Sequence, residues 1–260
     1  MISGRIKRLI YTPERLRFHR ICKANKLQLN YRINRDALNV LTEIFEDREY
    51  ADFFPFYQQA TVIDIGAHYG YFSIFASLNL HEKAKVIALE PFKKNYEKLE
   101  GNIKNCKITN ILGLNCAVSD NSGTARLNVG KSDNNSLLKN YKLLPKGATE
   151  EEVQVKTLEE VVKEHQIEKI DFLKMDCEGS EYAILRNMSP AIFGKIRTIA
   201  MEFHDLKDVA QTGEEIIRIL MKNGFEIVKY RYDKTTMGLN YGKIIGTKVL
   251  NEIRKADARV

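Results

Sequence analysis

Apolar positions along the chain change spacing in a regular way. The run TVIDI at 61–65 is apolar on successive, mostly β-branched residues, the pattern of a strand buried on both faces. From Tyr71 the period lengthens: Phe72, Phe75, Ala76 and Leu80 recur at helical intervals. The exchange then repeats. It predicts a strand over 85–90, a helix over 91–106 with Pro91 at its start, and a third strand near 111–118. Ile170, Phe172, Leu173 and Met175 mark a fourth strand, and IRTIAMEFHD a fifth. After a helix over 213–223 come FEIVKYR and GKIIGTKV, with Gly238 and Gly242 as turn signals, which read as an antiparallel hairpin at a sheet edge. Such alternation predicts an α/β fold with a mostly parallel sheet.

Two regions depart from that rhythm. Between 121 and 156, alternation in Ala125–Val129 and Val153–Val155 predicts an inserted β-ribbon. Its loop, Asn134-Asn135-Ser136, either folds over the crevice or is an exposed turn. Thr157 and Glu160 then form a capping-box pattern at a helix start. Upstream, Leu38, Leu41, Ile44 and Phe45 make an amphipathic segment, and Thr12-Pro13-Glu14 reads as a cap and first turn. The expected organisation is a basic helical extension over 1–50 and a main domain over 51–260.

Composition narrows the class. At 260 residues, 44% hydrophobic and 29% charged, the chain can bury one sizeable core. No window offers 18 uncharged apolar residues, and the charged N-terminus lacks the apolar stretch of a secretory signal. The four cysteines are far apart with no C-x-x-C, which argues against a disulfide framework and against zinc. The expected location is the cytoplasm, with a peripheral position at the inner membrane surface as a further option. That option comes from charge: of the net +7, residues 1–35 carry +9, ten Lys or Arg against Glu14 alone. Such a surplus is either a solvated helix face or an attraction to an anionic membrane, an acidic glycan or nucleic acid. Tyr11, Phe18 and Tyr31 are too sparse for a base-stacking platform.

Candidate chemistry gathers at the strand ends. Asp64, Gly66, Ala67 and Gly70 form a D-x-G-x-x-x-G turn between the first strand and its helix. A dinucleotide loop needs G-x-G-x-x-G for its pyrophosphate, and here His68 and Tyr69 fill that space after an acid that repels phosphate. A cationic cofactor without phosphate suits the turn better, which points to S-adenosylmethionine. Glu90, followed by Pro91 and closing the second strand, is placed to accept both ribose hydroxyls. Asn115 and Ala117 suit the edge of an adenine ring, and Glu49 and Tyr50 sit where a lead-in segment can close over the cofactor. Plain packing is the alternative for each. After the fourth strand Asp176, Glu178 and Glu181 crowd around Gly179, and the fifth ends in Glu202 and His204. Like charges at a strand end cost energy, so such crowding calls for a partner.

The set VIDIGAHYGYFS, ALEPFKKNYEKLEGNIKNC, LNCAVSD, VKTLEEVV, IDFLKMDCEGSEYAILR and MEFH resembles the FkbM family of S-adenosylmethionine-dependent methyltransferases. The match runs in order from about Tyr50 to His204, and His68 stands where the family often has Asn. The resemblance implies a class I methyltransferase fold, a Rossmann-like three-layer sandwich. Its seven-stranded, mostly parallel sheet has the order 3-2-1-4-5-7-6 with an antiparallel last strand. It also implies methyl transfer, usually to a hydroxyl of a sugar, glycan, polyketide or other small acceptor. In that sheet Asp176 and His204 end on adjacent strands. His204, with an ordinary pKa near 6.5, then reads as a general base oriented by Asp176, with Glu178 beside them. A divalent ion held by Asp176, Glu202 and His204 competes with that reading, although spacing alone does not demand a metal. Three other functions were weighed. A nucleic-acid methyltransferase is disfavoured by the lack of an N-P-P-Y-like motif or RNA-binding module, and a nicotinamide oxidoreductase by the missing glycine at 68. A non-catalytic binding module is disfavoured by the intact Asp64, Glu90 and Asp176. Oligomeric state is left open.

Overall fold

The computed structural model describes residues 12–29, 35–129, 135–137, 149–205, 211–234 and 240–249. Its first half contains α1 (Pro13–Ala24), α2 (Arg35–Phe45), β1 (Thr61–Ile65), α3 (Tyr71–Asn79), β2 (Lys85–Leu89), α4 (Lys93–Asn105), β3 (Ile111–Leu114) and β4 (Ala117–Val118). The second half contains β5 (Gly123–Val129), β6 (Thr149–Lys156), α5 (Leu158–Glu164), β7 (Ile170–Met175), α6 (Glu181–Asn187), α7 (Pro190–Lys195), β8 (Ile196–Asp205), α8 (Gly213–Lys222), β9 (Glu226–Lys234) and β10 (Asn240–Thr247). Seven strands make one sheet in the order β3-β2-β1-β7-β8-β10-β9. From β3 to β8 neighbours pair parallel, and β10 runs antiparallel to both β8 and β9. This is the expected class I methyltransferase order.

Period-two alternation builds both faces. On β1, Val62 joins Phe72, Phe75 and Phe172 on one side, while Ile63 and Ile65 join Leu173 and Met175 on the other. The first side is roofed by α1, α2 and α3, the second by α5 to α8. Strands apolar on both faces need such cover, which explains the three layers. Among the described residues no helix is long and apolar enough to cross a membrane.

The N-terminal stretch corrects one expectation. Rather than standing apart from the core, α1 buries Phe18, Ile21 and Cys22 in the same cluster as Val62 and Phe172. Thr12 caps it as expected, its Oγ1 accepting from the Arg15 N–H at 3.3 Å. Two of its arginines are also engaged: Arg17 places two donors on Glu46 Oε2, at 2.8 and 2.6 Å, and Arg20 reaches Oε1 at 2.9 Å. Residues 1–11, Tyr31, Asn134 and Gly238 lie outside the described residues.

The third strand is a second correction. It stops at Leu114, and Asn115 turns the chain by donating from Nδ2 to the carbonyls of Glu90 (2.9 Å) and Pro91 (3.0 Å). Ala117–Val118 then pairs in parallel with β6, so the ribbon of β5 and β6 becomes a separate three-stranded sheet. The capping box forms as read, Thr157 and Glu160 each accepting from the other's N–H.

Candidate active site

The carboxyl ends of β1, β2 and β7, the turn beyond β3 and the ribbon all line one crevice. Its floor begins at Gly66. A Cβ there would lie 1.8 Å from the Asp176 carbonyl oxygen, and the residue has φ +77, a conformation glycine adopts without strain. The loop is therefore glycine because the turns after β1 and β7 meet backbone to backbone. Gly70, at φ +79, starts α3 against Leu99 and lies outside the crevice wall. His68, also at positive φ, lines the wall and stacks on Tyr69 at 3.7 Å.

Asp64 is turned inward. Wholly buried, it accepts from Ser73 Oγ at 2.7 Å and lies 3.2 Å from Lys174 Nζ. Lys174 also donates to the Gly66 carbonyl at 2.9 Å and stands 3.9 Å from Asp176 Oδ2. Burial opposes its charge, but Asp64 and then Asp176 raise its pKa above the ordinary lysine value. One buried cation thus neutralises the acid of β1 and holds the loop. Asp176, about a third exposed, is the acid left at the crevice surface.

Glu90 closes β2 as a buried carboxylate on the wall. Its Oε2 accepts the His68 N–H at 2.8 Å, and its Oε1 accepts the Phe92 N–H at 2.9 Å. Burial raises its pKa against the pull of His68 and those two N–H groups. Each oxygen keeps a second lone pair, so the group can still receive a diol. Pro91 and Ala117 line the same wall. Asn115 supports it from behind, and Tyr50 lies in the core against Phe72, its ring 5.4 Å from Lys243 Nζ.

The second half of the site is a charge cluster. Glu178 lies on the crevice wall with φ +53, and its carbonyl accepts from the ribbon's Ser136 Oγ at 2.6 Å. Behind it, buried His204 points Nε2 at Glu178 Oε2 (3.3 Å) and Glu202 Oε1 (3.7 Å), and Nδ1 at the wholly buried Glu181 Oε1 (3.3 Å). Glu181 Oε1 also accepts the Cys177 N–H at 3.0 Å. Burial alone would lower the His204 pKa, but Glu178, Glu181 and Glu202 raise it to about 10. Those carboxylates favour the charged form of the ring, which weighs against His204 as a ready proton acceptor. Glu181 responds in kind: burial pushes it up, and His204 pulls it below the usual carboxylate value. Glu202 is driven well above that value by burial and by Asp176. Lys243, 3.5 Å from Glu202, is also held by Glu43 at 3.4 Å and by Glu49.

The structure therefore gathers Gly66, Ala67, His68, Glu90, Pro91, Ala117, Asp176 and Glu178 on one wall, with Asp64, Gly70, Asn115, Tyr50 and His204 behind it. The sequence reading missed Lys174 and Lys243. The available signal was a lone lysine within each apolar strand, IDFLKM and GKIIG, because a buried charge requires a partner. It also missed the far wall, where α2 contributes Val40 and Ile44 and the ribbon contributes Leu127, Asn135 and Leu137.

Comparison with known proteins bears on this arrangement. Residues 64–227 match the family described as the Methyltransferase FkbM domain. The chain is 28% identical over 221 residues to the 31-O-demethyl-FK506 methyltransferase FkbM of Streptomyces tacrolimicus, covering 74% of this chain and 83% of that protein. It is 26% identical over 245 residues to the AMB antimetabolite synthetase AmbE of Pseudomonas aeruginosa, covering 80% of this chain but only 11% of that much longer protein. Among solved structures, the METTL16 MTase domain superposes with a TM-score of 0.52 at 11% identity, over 90% of this chain and 79% of that one, a likeness of fold.

Proposed function

The chain belongs to the FkbM methyltransferase family, which makes it an S-adenosylmethionine-dependent methyltransferase, and we propose that its acceptor is a hydroxyl oxygen of a sugar, glycan or other small natural product. The observation that carries this reading is the turn after β7, which sets Asp176 and Glu178 side by side on the crevice wall next to the glycine loop. A neutral hydroxyl attacks poorly until its proton leaves, so the reaction needs a base beside the oxygen. Two carboxylates there fill that need.

The cofactor half of the crevice fits its ligand. Ile65, Leu89 and Val118 offer apolar walls, and Glu90 presents carboxylate lone pairs to a ribose diol. No cradle of small residues awaits a pyrophosphate, since His68 occupies that place. When bound, S-adenosylmethionine supplies a methyl group on a cationic sulfur. Asp176 places negative charge near that cation. Glu178 accepts the hydroxyl proton as the oxygen takes the methyl group from sulfur, and His204 lies behind the Glu178 carboxylate with Nε2 3.3 Å from Oε2. Val40, Ile44, Leu127 and Leu137 give the acceptor a largely apolar surface. That surface and the acidic rim suit a small uncharged molecule better than a phosphate backbone. The Streptomyces relative, a 31-O-demethyl-FK506 methyltransferase, points the same way.

The test is a panel of hydroxylated sugars, glycans and polyketide-like alcohols, with RNA alongside, followed by mass shift and S-adenosylhomocysteine release. Methylation of an alcohol is expected, and Glu178→Gln should lower turnover by about 10²-fold or more while cofactor affinity stays within a few-fold. Methylation confined to nucleic acid, or full turnover in Glu178→Gln, would remove this reading.

A further inference from the structure

Asp176, Glu202 and His204 each bring one ligand atom to a common point between β7 and β8. These atoms lie within 4.8 Å of one another. Octahedral Mg²⁺ holds donors at about 2.1 Å, so cis donors sit about 3 Å apart and trans donors about 4.2 Å. A contraction of well under an ångström on each arm would close the set. We propose that this triad holds a divalent, oxygen-preferring cation such as Mg²⁺ or Mn²⁺, which in turn binds the acceptor hydroxyl beside the methyl donor.

Independent features of the molecule favour an ion at that point. The first is the orientation of the imidazole. Wholly buried Glu181 takes the His204 Nδ1 side at 3.3 Å and is itself fixed by the Cys177 N–H. Nε2 is thereby directed at Glu202 and Glu178 and toward the crevice. A carboxylate behind one ring nitrogen with the other nitrogen presented forward is how proteins position a histidine ligand.

The second feature is the charge balance. Asp176, Glu178, Glu181 and Glu202 converge here, with Glu43 and Glu49 behind them. Lys174 lies 3.2 Å from Asp64, donates to the Gly66 carbonyl and stands 3.9 Å from Asp176, and Lys243 lies among Glu43, Glu49 and Glu202. A cation bound at His204 Nε2 takes that nitrogen's lone pair, so a proton carried there would pass to solvent as the bond forms. Two hard carboxylates with one imidazole suit Mg²⁺ or Mn²⁺ better than a thiophilic metal.

The third is location. Asp176 belongs both to the triad and to the crevice wall, so an ion there can polarise an acceptor oxygen while Glu178 takes its proton. This inference deepens the proposed hydroxyl chemistry and rests on it for the role of the ion, but binding can be measured without any acceptor.

The experiment titrates MnCl₂ into the chelator-treated full chain and follows free Mn²⁺ by electron paramagnetic resonance. The expected result is one Mn²⁺ per chain, displaced by MgCl₂, with affinity lowered about tenfold or more in Glu202→Gln and in Asp176→Asn. Circular dichroism and thermal melting check that each variant is folded, and Glu202→Gln, away from the cofactor wall, should also keep its affinity for S-adenosylmethionine. Should Glu202→Gln not fold, Asp176→Asn decides. No saturable Mn²⁺ binding in the wild-type chain, or binding unchanged in the folded variant, overturns the site. A chain that binds Mn²⁺ but methylates no alcohol keeps the site and loses the acceptor reading, so the two fail separately.

Discussion

Single residues carry two kinds of constraint at this site, and mutation separates them. If Gly66 is needed mainly to leave room for the cofactor, then Gly66→Ala should melt normally in its absence. The structure predicts the opposite, because a Cβ meets the Asp176 carbonyl at 1.8 Å and the backbone is left-handed. The expected loss is about 2–5 kcal/mol from strain and overlap together, read by thermal melting without cofactor. Normal melting would restore the cofactor explanation. Lys174→Met is expected to cost about 3–5 kcal/mol by leaving Asp64 buried and uncompensated, and adding Asp64→Asn should recover much of it. Urea unfolding of the two variants measures this, and equal losses in both would mean that the pair is not coupled. The importance of Gly66 was legible in the sequence, but the reason for it was not. It depends on a carbonyl 110 residues away, brought close by the β1–β7 pairing. Lys174 was hidden for the same reason.

Among the elements, legibility followed local periodicity. Helix α3, strand β7 and the capping box of α5 fell where the pattern put them, because each announces itself within a dozen residues. Helix α1 did not. Half of its twelve residues are charged or polar, and three inward side chains are too few to set a clear apolar stripe. Yet Ile21 is about 1% exposed, so Ile21→Ala should cost about 2–5 kcal/mol by equilibrium unfolding, far more than a detached arm could lose. A loss below about 0.5 kcal/mol would show that α1 contributes little to the core. The division of the third strand into β3 and β4 was equally invisible. Nothing within ILGLNCAV distinguishes a continuing strand from one that changes sheets, since the turn is made by Asn115 bonding to Glu90 and Pro91.

Across the whole molecule, charge is divided between a basic N-terminal stretch and an acidic crevice. Counting residues along the chain exposed the first. The second was legible only in part, since Asp176, Glu178 and Glu181 are neighbours in sequence while Glu202 and His204 reach them through strand pairing. If the basic stretch attracts polyanions, replacing Arg5, Lys7 and Arg8 with Gln should lower the salt needed to elute the chain from heparin. Unchanged elution would place the attraction elsewhere. The bond from Ser136 Oγ to the Glu178 carbonyl, at 2.6 Å, has a consequence for engineering. The ribbon that lines the crevice is fastened to the turn that carries Glu178. If the acceptor and its base sit there as proposed, acceptor range and proton transfer are not separate modules, and a ribbon transplanted between relatives should work only when the turn after β7 travels with it.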